Sequence, residues 1–401
     1  MSAVNARPAT SREATNDARG GAPSPRSPVR TSVTPARAAA NDAASDAVRI
    51  AREAGLRHVC DASPGIKRRR DGDAFVYETP DGERLDDEAT LARIAALAIP
   101  PAYTDVWICP RANGHLQATG RDARGRKQYR YHAHWQAARG DGKFERVIEF
   151  GEALPKLRRR LRRDLARRGH PREKVLAIVV AVMAETLVRV GNDVYARRNN
   201  SFGLTTLRNR HVAFLKGGRA RFKFRGKAGL EHEIVLDDAR LAKLVRACQQ
   251  LPGQSLFQYR DDDGAVQPVN SDAVNDYLRE AMGASFTAKD FRTWGGTLTA
   301  VQCFAATPLP IDDDGRCSER ALAAAEKAVV GEVARALGNT VAVCRRAYID
   351  PAVFDGWRSG ALQRVAEGAR GARQWERATL QFLRDARRRA ARSERTRSRR
   401  G

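Results

Sequence analysis

Leu157, Leu161 and Leu165 recur at every fourth position of the basic segment LPKLRRRLRRDLARRGH, which lays one apolar stripe along a helix. Pro171 then opens a helix through VLAIVVAVMAETLVRV. That stretch is apolar nearly all round, so it predicts a central core helix rather than a surface one. Gly191 is the expected C-cap, which puts Arg189 at the exposed end of the helix. The segments GLTTLRNRHVAFL, ARFKFRGK and LEHEIVL read as a three-stranded antiparallel sheet, with Lys227 in the turn between the last two strands. From Asp237 to about Trp357 the pattern is helical with short loops.

The first third of the chain has a different texture. Residues 1–44 are rich in Ala, Pro, Ser, Thr and Arg and hold too little apolar surface to offset chain entropy, so they are expected to be disordered. DAVRIAREAGL reads as a helix stopping at Gly55. Two Asp-Gly turns flank the apolar-aromatic strand of DGDAFVYETPDGERL, and a short helix, Asp86–Leu97, ends before Pro100 and Pro101. DVWICP and GHLQATGRD read as further strands. The fold class is therefore α+β: a small N-terminal antiparallel-sheet domain and a larger, mainly helical domain with a three-stranded sheet. The expected divisions are a basic tail at 1–44, an N-terminal domain at 45–140, a second domain at 141–365 and an Arg-rich tail at 366–401. Residues 384–400 hold nine Arg against Asp385 and Glu394, which predicts a flexible extension suited to gripping a polyanion.

Charge narrows the partner. Lys and Arg total 72 against 47 Asp and Glu in 401 residues, a formal excess of 25 positive charges, and nucleic acid is the commonest polyanion. Only 11 of the 72 are Lys, which leaves 61 Arg, so the presence of an Arg carries little information by itself. The six Cys include no C-x-x-C pair, which argues against a zinc site or a disulfide framework and fits a reducing compartment. The longest apolar run, Val175–Ala184, is too short to span a bilayer, and the N-terminus has no apolar signal segment. A cytoplasmic protein is expected.

Four dispersed residues suggest a reaction. They are Arg189 in LVRVGN, Lys227 in FKFRGKAG, Arg292 in AKDFRTWGG and Tyr348 in GNTVAVCRRAYIDP. A phenol can attack phosphorus, guanidinium forks can hold the non-bridging oxygens, and an ammonium can protonate a leaving alkoxide. Each has a plainer reading. A lone Tyr near a helix end packs against its neighbours with its hydroxyl on water. Arg189 could pair with Glu185, Arg292 could be a surface residue, and a hairpin Lys is ordinarily solvated. Trp294, Gly295 and Gly296 instead suggest a tight, partly buried turn around Arg292. Arg345 and Arg346 are expected to help ionise Tyr348. The acidic runs at 261–264 and 311–315 read as exposed turns without the alternation of a calcium loop, so no metal or other cofactor is expected.

With these motifs goes N-N-S-F-G-L-T-T-L-R-N-R-H, and together they resemble the type IB DNA topoisomerases of the bacterial, poxvirus-like group, over about residues 46–358. The resemblance implies the catalytic fold shared with tyrosine recombinases, and it implies that Arg189, Lys227, Arg292 and Tyr348 are catalytic. It also implies that Asn339, nine positions before Tyr348, stands where the family usually has a phosphate-binding His. An amide can donate the same hydrogen bond. Gln128, Tyr129 and Tyr131 match a segment that touches duplex DNA, although alternating aromatics serve equally as strand packing. The expected activity is relaxation of supercoiled duplex DNA through a 3′-phosphotyrosyl intermediate, without ATP or metal, by a monomer. A tyrosine recombinase or integrase, and a non-catalytic basic DNA-binding protein, are the alternatives.

Overall fold

The computed structural model describes residues 47–398 apart from 73, 284–285 and 313, so the disorder expected of residues 1–44 lies outside the described residues. Helix α1 (residues 47–53) ends at Gly55, whose φ of +69° is a left-handed turn that glycine enters without strain. Strands β1 (Ile66–Asp71), β2 (Ala74–Glu78), β3 (Thr104–Ile108), β4 (Leu116–Arg121) and β5 (Lys127–Tyr131) form one antiparallel sheet in the order β2-β1-β3-β4-β5. Helix α2 (Glu88–Ala96), capped by Asp87, supplies Ile94 to a small core with Ile66, Val106, Ile108 and Ala118.

β1 is not legible as a strand, because IKRRRD has no apolar alternation. Its placement comes from pairing on both edges and from Arg68, which donates to the carbonyls of Ile99, Pro100 and Tyr103 and covers the Phe75 ring at 4.2 Å. Three carbonyl acceptors make a half-buried guanidinium tolerable there.

Helix α3 (Ala133–Leu165) runs unbroken through the division expected at residue 140 and carries Pro155 inside it. Leu157 is buried and Leu161 and Leu165 pack beside it, as the fourfold spacing predicts. Helix α4 (Arg172–Thr186) is the core element, with every residue from Val175 to Val180 buried. After α5 (Asp193–Asn199), strands β6 (Val212–Phe214), β7 (Ala220–Arg225) and β8 (Glu231–Leu236) give the expected three-stranded antiparallel sheet. GLTTLRNRH lies outside it, in two 3-10 turns, because Leu204 and Thr205 bond back to Arg189 and Val190.

The remainder is helical, as α6 (Ala239–Gln249), α7 (Ser271–Met282), α8 (Ala288–Ala306), α9 (Glu319–Leu337), α10 (Val341–Tyr348), α11 (Ala352–Arg358), α12 (Ala361–Glu367) and α13 (Ala372–Ser398). The exception is β9 (Gln258–Arg260) and β10 (Val266–Pro268), which form a two-stranded antiparallel sheet between α6 and α7, in a stretch expected to be helical with short loops. Through Ser398 the segment expected as a flexible extension is helix instead. Phe382 and Leu383 of α13 are buried, and Arg384 and Arg387 pair with Glu152 and Asp350. Counting arginines overlooks the apolar pair that gives the helix a face to bury. Among the described residues no helix is long and apolar enough to cross a membrane.

Candidate active site

Helix α4 does not end at Gly191. It ends four residues earlier, where Leu187 takes the left-handed conformation (φ 52°) and its N–H closes on Met183 O at 2.9 Å. Arg189 therefore sits on an extended segment beyond the helix. That segment is fixed by Leu204 N donating to Arg189 O at 2.9 Å and Thr205 N to Val190 O at 2.7 Å. Gly203 allows the approach, since a Cβ there would stand 2.6 Å from Arg189 O.

Arg292 is in the first turns of α8, not in a loop turn as its flanking glycines suggest. Those glycines act within the helix. A Cβ at Gly295 would meet the Leu187 side chain at 2.5 Å, and one at Gly296 would meet Tyr348 O at 2.7 Å. Their lack of side chains lets α8 approach both the Arg189 segment and the end of α10. Thr297 completes the contact: its hydroxyl donates to Tyr348 O and accepts from Asp350 N, both at 3.2 Å.

The guanidiniums converge. Arg292 is 4% exposed, and it donates from Nη1 to Leu187 O at 2.5 Å and from Nη2 to Leu337 O at 2.7 Å. Its Cζ stands 5.1 Å from the centre of the Tyr348 ring. Arg189 donates from Nη2 to Asn339 Oδ1 at 2.5 Å and to Gly338 O at 3.5 Å, rather than to Glu185. Asn339 is held there by the left-handed cap at Gly338 (φ 58°) that ends α9, its own N–H returning to Ala334 O at 2.9 Å. Arg292 Nε and Asn339 Nδ2 are buried donors with no acceptor among the described residues. Leaving such donors unpaired costs about 1–3 kcal/mol each, so an acceptor brought between them would be favoured.

Charge acts on the phenol. Burial alone would raise the pKa of Tyr348; the charge of Arg292, then of Arg189 and Lys289, outweighs it and brings the pKa below its ordinary value. Arg345 is not among the largest contributors. It is committed to Glu326 at 2.7 Å and to the face of Phe354 at 4.1 Å. Burial and the charge of Arg292 lower the Arg189 pKa, against the pull of Tyr348.

Lys227 lies exposed in the β7–β8 turn, as expected, on a bend that puts Ala228 at φ 64°. With Arg189, Arg292 and His232 it lines one recess. His232 is not among the residues the sequence singles out, because it sits on a strand far from Tyr348 along the chain. It is wedged between two turns: a Cβ at Gly226 would meet its Cδ2 at 2.4 Å, and one at Gly338 would meet its Cε1 at 2.3 Å. Burial and the charges of Arg189 and Arg292 lower its pKa and so disfavour its charged form. Those two glycines, each next to an expected site residue, are the signal in the sequence that could have found it.

Gln128, Tyr129 and Tyr131 are elsewhere, on β5 at the edge of the N-terminal sheet. Tyr129 and Tyr131 are 49% and 37% exposed and stack at 6.0 Å, and Gln128 donates to Asp122 at 2.9 Å. Exposure on this scale makes them a surface pair rather than core packing.

The sequence profile of the eukaryotic DNA topoisomerase I catalytic core matches residues 132–352, and that of the bacterial DNA topoisomerase IB N-terminal domain matches residues 74–122. DNA topoisomerase 1B of Acanthamoeba polyphaga mimivirus is 34% identical over 291 residues, which cover 71% of this chain and 85% of the viral one. DNA topoisomerase 1B of Vaccinia virus (strain Copenhagen) is 23% identical over 301 residues, 71% of this chain and 88% of its own. The chain belongs to the type IB DNA topoisomerases. It is an isomerase whose substrate is DNA.

Proposed function

We propose that this enzyme relaxes supercoiled duplex DNA by breaking one strand through Tyr348 and resealing it. The phenol attacks a phosphodiester and becomes joined to the 3′ phosphate, and the 5′ oxygen leaves as a hydroxyl. Arg189, Arg292 and Asn339 donate to the non-bridging oxygens as charge accumulates on them. Lys227, on its long side chain, protonates the departing 5′ oxygen. The free end swivels, the torsional strain dissipates, and the 5′ hydroxyl attacks back.

One phosphate ester replaces another, so the cycle needs no nucleotide, and protein cations stand where a metal would otherwise neutralise phosphate charge. The N-terminal sheet presents Gln128, Tyr129 and Tyr131 to the duplex, and Lys and Arg contacts with phosphates hold the remainder. The observation that carries this reading is the pair of buried, unpartnered donors, Arg292 Nε and Asn339 Nδ2, beside a phenol whose pKa is lowered.

Plasmid relaxation in EDTA without nucleotide tests it. The wild type should relax supercoils of either sign, and Tyr348→Phe should lose relaxation while keeping its affinity for DNA. Relaxation by Tyr348→Phe at the wild-type rate contradicts the reading, as does a strict need for magnesium.

A further inference from the structure

A second lysine lies against Tyr348 and has no part in the scheme above. Lys143, on α3, donates from Nζ to the carbonyl of Ala347, the residue before Tyr348. The same Nζ is 5.7 Å from the centre of the Tyr348 ring and 4.9 Å from that of Phe144. Ala347 lies in the last turn of α10, where carbonyls have no partner further along the helix and a cation is favoured by the helix dipole.

The position is costly for an ammonium. Burial first, then the charges of Lys289 on α8 and Arg346 on α10, pull the Lys143 pKa down to about 8 against the opposing pull of Asp290. Asp290 is itself engaged: it accepts from Thr287 N and Oγ1 at 2.8 and 3.0 Å as the cap of α8, and lies 3.7 Å from Arg146. A cation kept in such surroundings, with a backbone carbonyl for its bond, is poorly explained by stability.

We propose that Lys143 is a positioning residue for strand cleavage: its charged ammonium ties α3 to the end of α10 and fixes the direction in which Tyr348 presents its phenol. The proposal rests on Tyr348 being the nucleophile. Lys143 transfers no proton in this scheme and is distinct in role from Lys227. The tie also reaches towards the N-terminal sheet, because α3 begins just after β5 and its Trp135 packs with Ala51 and Leu56.

The test compares wild type, Lys143→Met and Lys143→Arg in single-turnover cleavage of a DNA duplex, with affinity measured on the same duplex and Tyr348→Phe as control. Lys143→Met should slow covalent adduct formation by about 10-fold or more, since a small misplacement of a reacting group is expensive, with DNA affinity within about threefold of wild type. Lys143→Arg should recover most of the rate. The advantage of wild type over Lys143→Met should be full below pH 8 and shrink as pH rises through it, while that of Lys143→Arg stays level.

Wild-type cleavage by Lys143→Met at every pH overturns the proposal, and so does a Lys143→Arg enzyme as slow as Lys143→Met. Should Lys143→Met not fold, wild type and Lys143→Arg alone decide. They must agree below pH 8 and diverge above it; agreement throughout overturns the proposal. An adduct that survives Tyr348→Phe overturns the nucleophile assignment and this inference together. Failure of the lysine variants with the Tyr348→Phe control intact overturns this inference alone.

Discussion

Arg292 spends two donors on the carbonyls of Leu187 and Leu337 and keeps Nε in reserve, buried beside Tyr348. A guanidinium can divide its donors in this way because they are fixed in a planar fork; an ammonium cannot. Arg292→Lys should therefore resemble Arg292→Ala, each losing about 10²–10³-fold in cleavage rate, the range found for removal of one transition-state donor. Arg292 also stabilises the phenolate, so its removal should move the rising limb of the cleavage pH profile to higher pH. Full activity in Arg292→Lys, or an unmoved limb, counts against this assignment. At this scale the sequence is informative where a motif surrounds the residue, as for Tyr348 and Arg189, and silent where only folding supplies the neighbour. Lys143 reaches the site from α3 by tertiary contact, which no local pattern encodes, and His232 reaches it from β8, marked only by the glycines at 226 and 338 that make room for it. Arg345 shows the converse, since proximity in sequence to Tyr348 does not prevent its commitment to Glu326.

Helices α8 and α10 meet through glycine. At Gly296 an added methyl would stand 2.7 Å from Tyr348 O and 3.0 Å from its Cβ, and neither atom can rotate away. Gly296→Ala should cost about 1–3 kcal/mol of stability, read as a fall in melting temperature, and should slow cleavage by displacing Tyr348. Gly331 in α9 is the internal control, because a methyl added there would meet no atom within 4 Å among the described residues. Gly331→Ala should raise stability by about 0.4–1 kcal/mol. Equal melting shifts for the two would remove the close-packing argument. The elements themselves are largely readable: α4 from its unbroken apolar run, and the β6–β8 sheet from its alternation. Their ends are less so. Leu187 ends α4 in a left-handed conformation, and its carbonyl accepts from Arg292, a tertiary contact invisible to a reading that looks for glycine. β1 is hidden because its stabilising partners are carbonyls from another segment.

Helix α13 extends the folded molecule beyond residue 352, where the match to the catalytic-core profile ends. Its Arg387 donates to Asp350 Oδ2 at 2.6 Å, and that fully buried carboxylate lies two residues from Tyr348. Arg387→Ala should cost about 2–3 kcal/mol, at or below the bottom of the range for breaking a buried pair, because Arg387 is partly exposed. Burial already holds the Asp350 pKa above its ordinary value despite Arg387. The folded state thus binds that proton more tightly than the unfolded chain, and the site's contribution to stability grows as pH falls. Removing Arg387 raises the pKa further, so the deficit measured by thermal melting should be largest at neutral pH and shrink on acidification. A pH-independent deficit would point to lost packing instead. The most direct test of the whole account is to quench the enzyme on duplex DNA with denaturant, digest the protein and sequence the peptide left on the strand. The account predicts a peptide bearing Tyr348 joined to a 3′ phosphate, absent from Tyr348→Phe. A peptide joined through another residue, or a 5′ linkage, would contradict it.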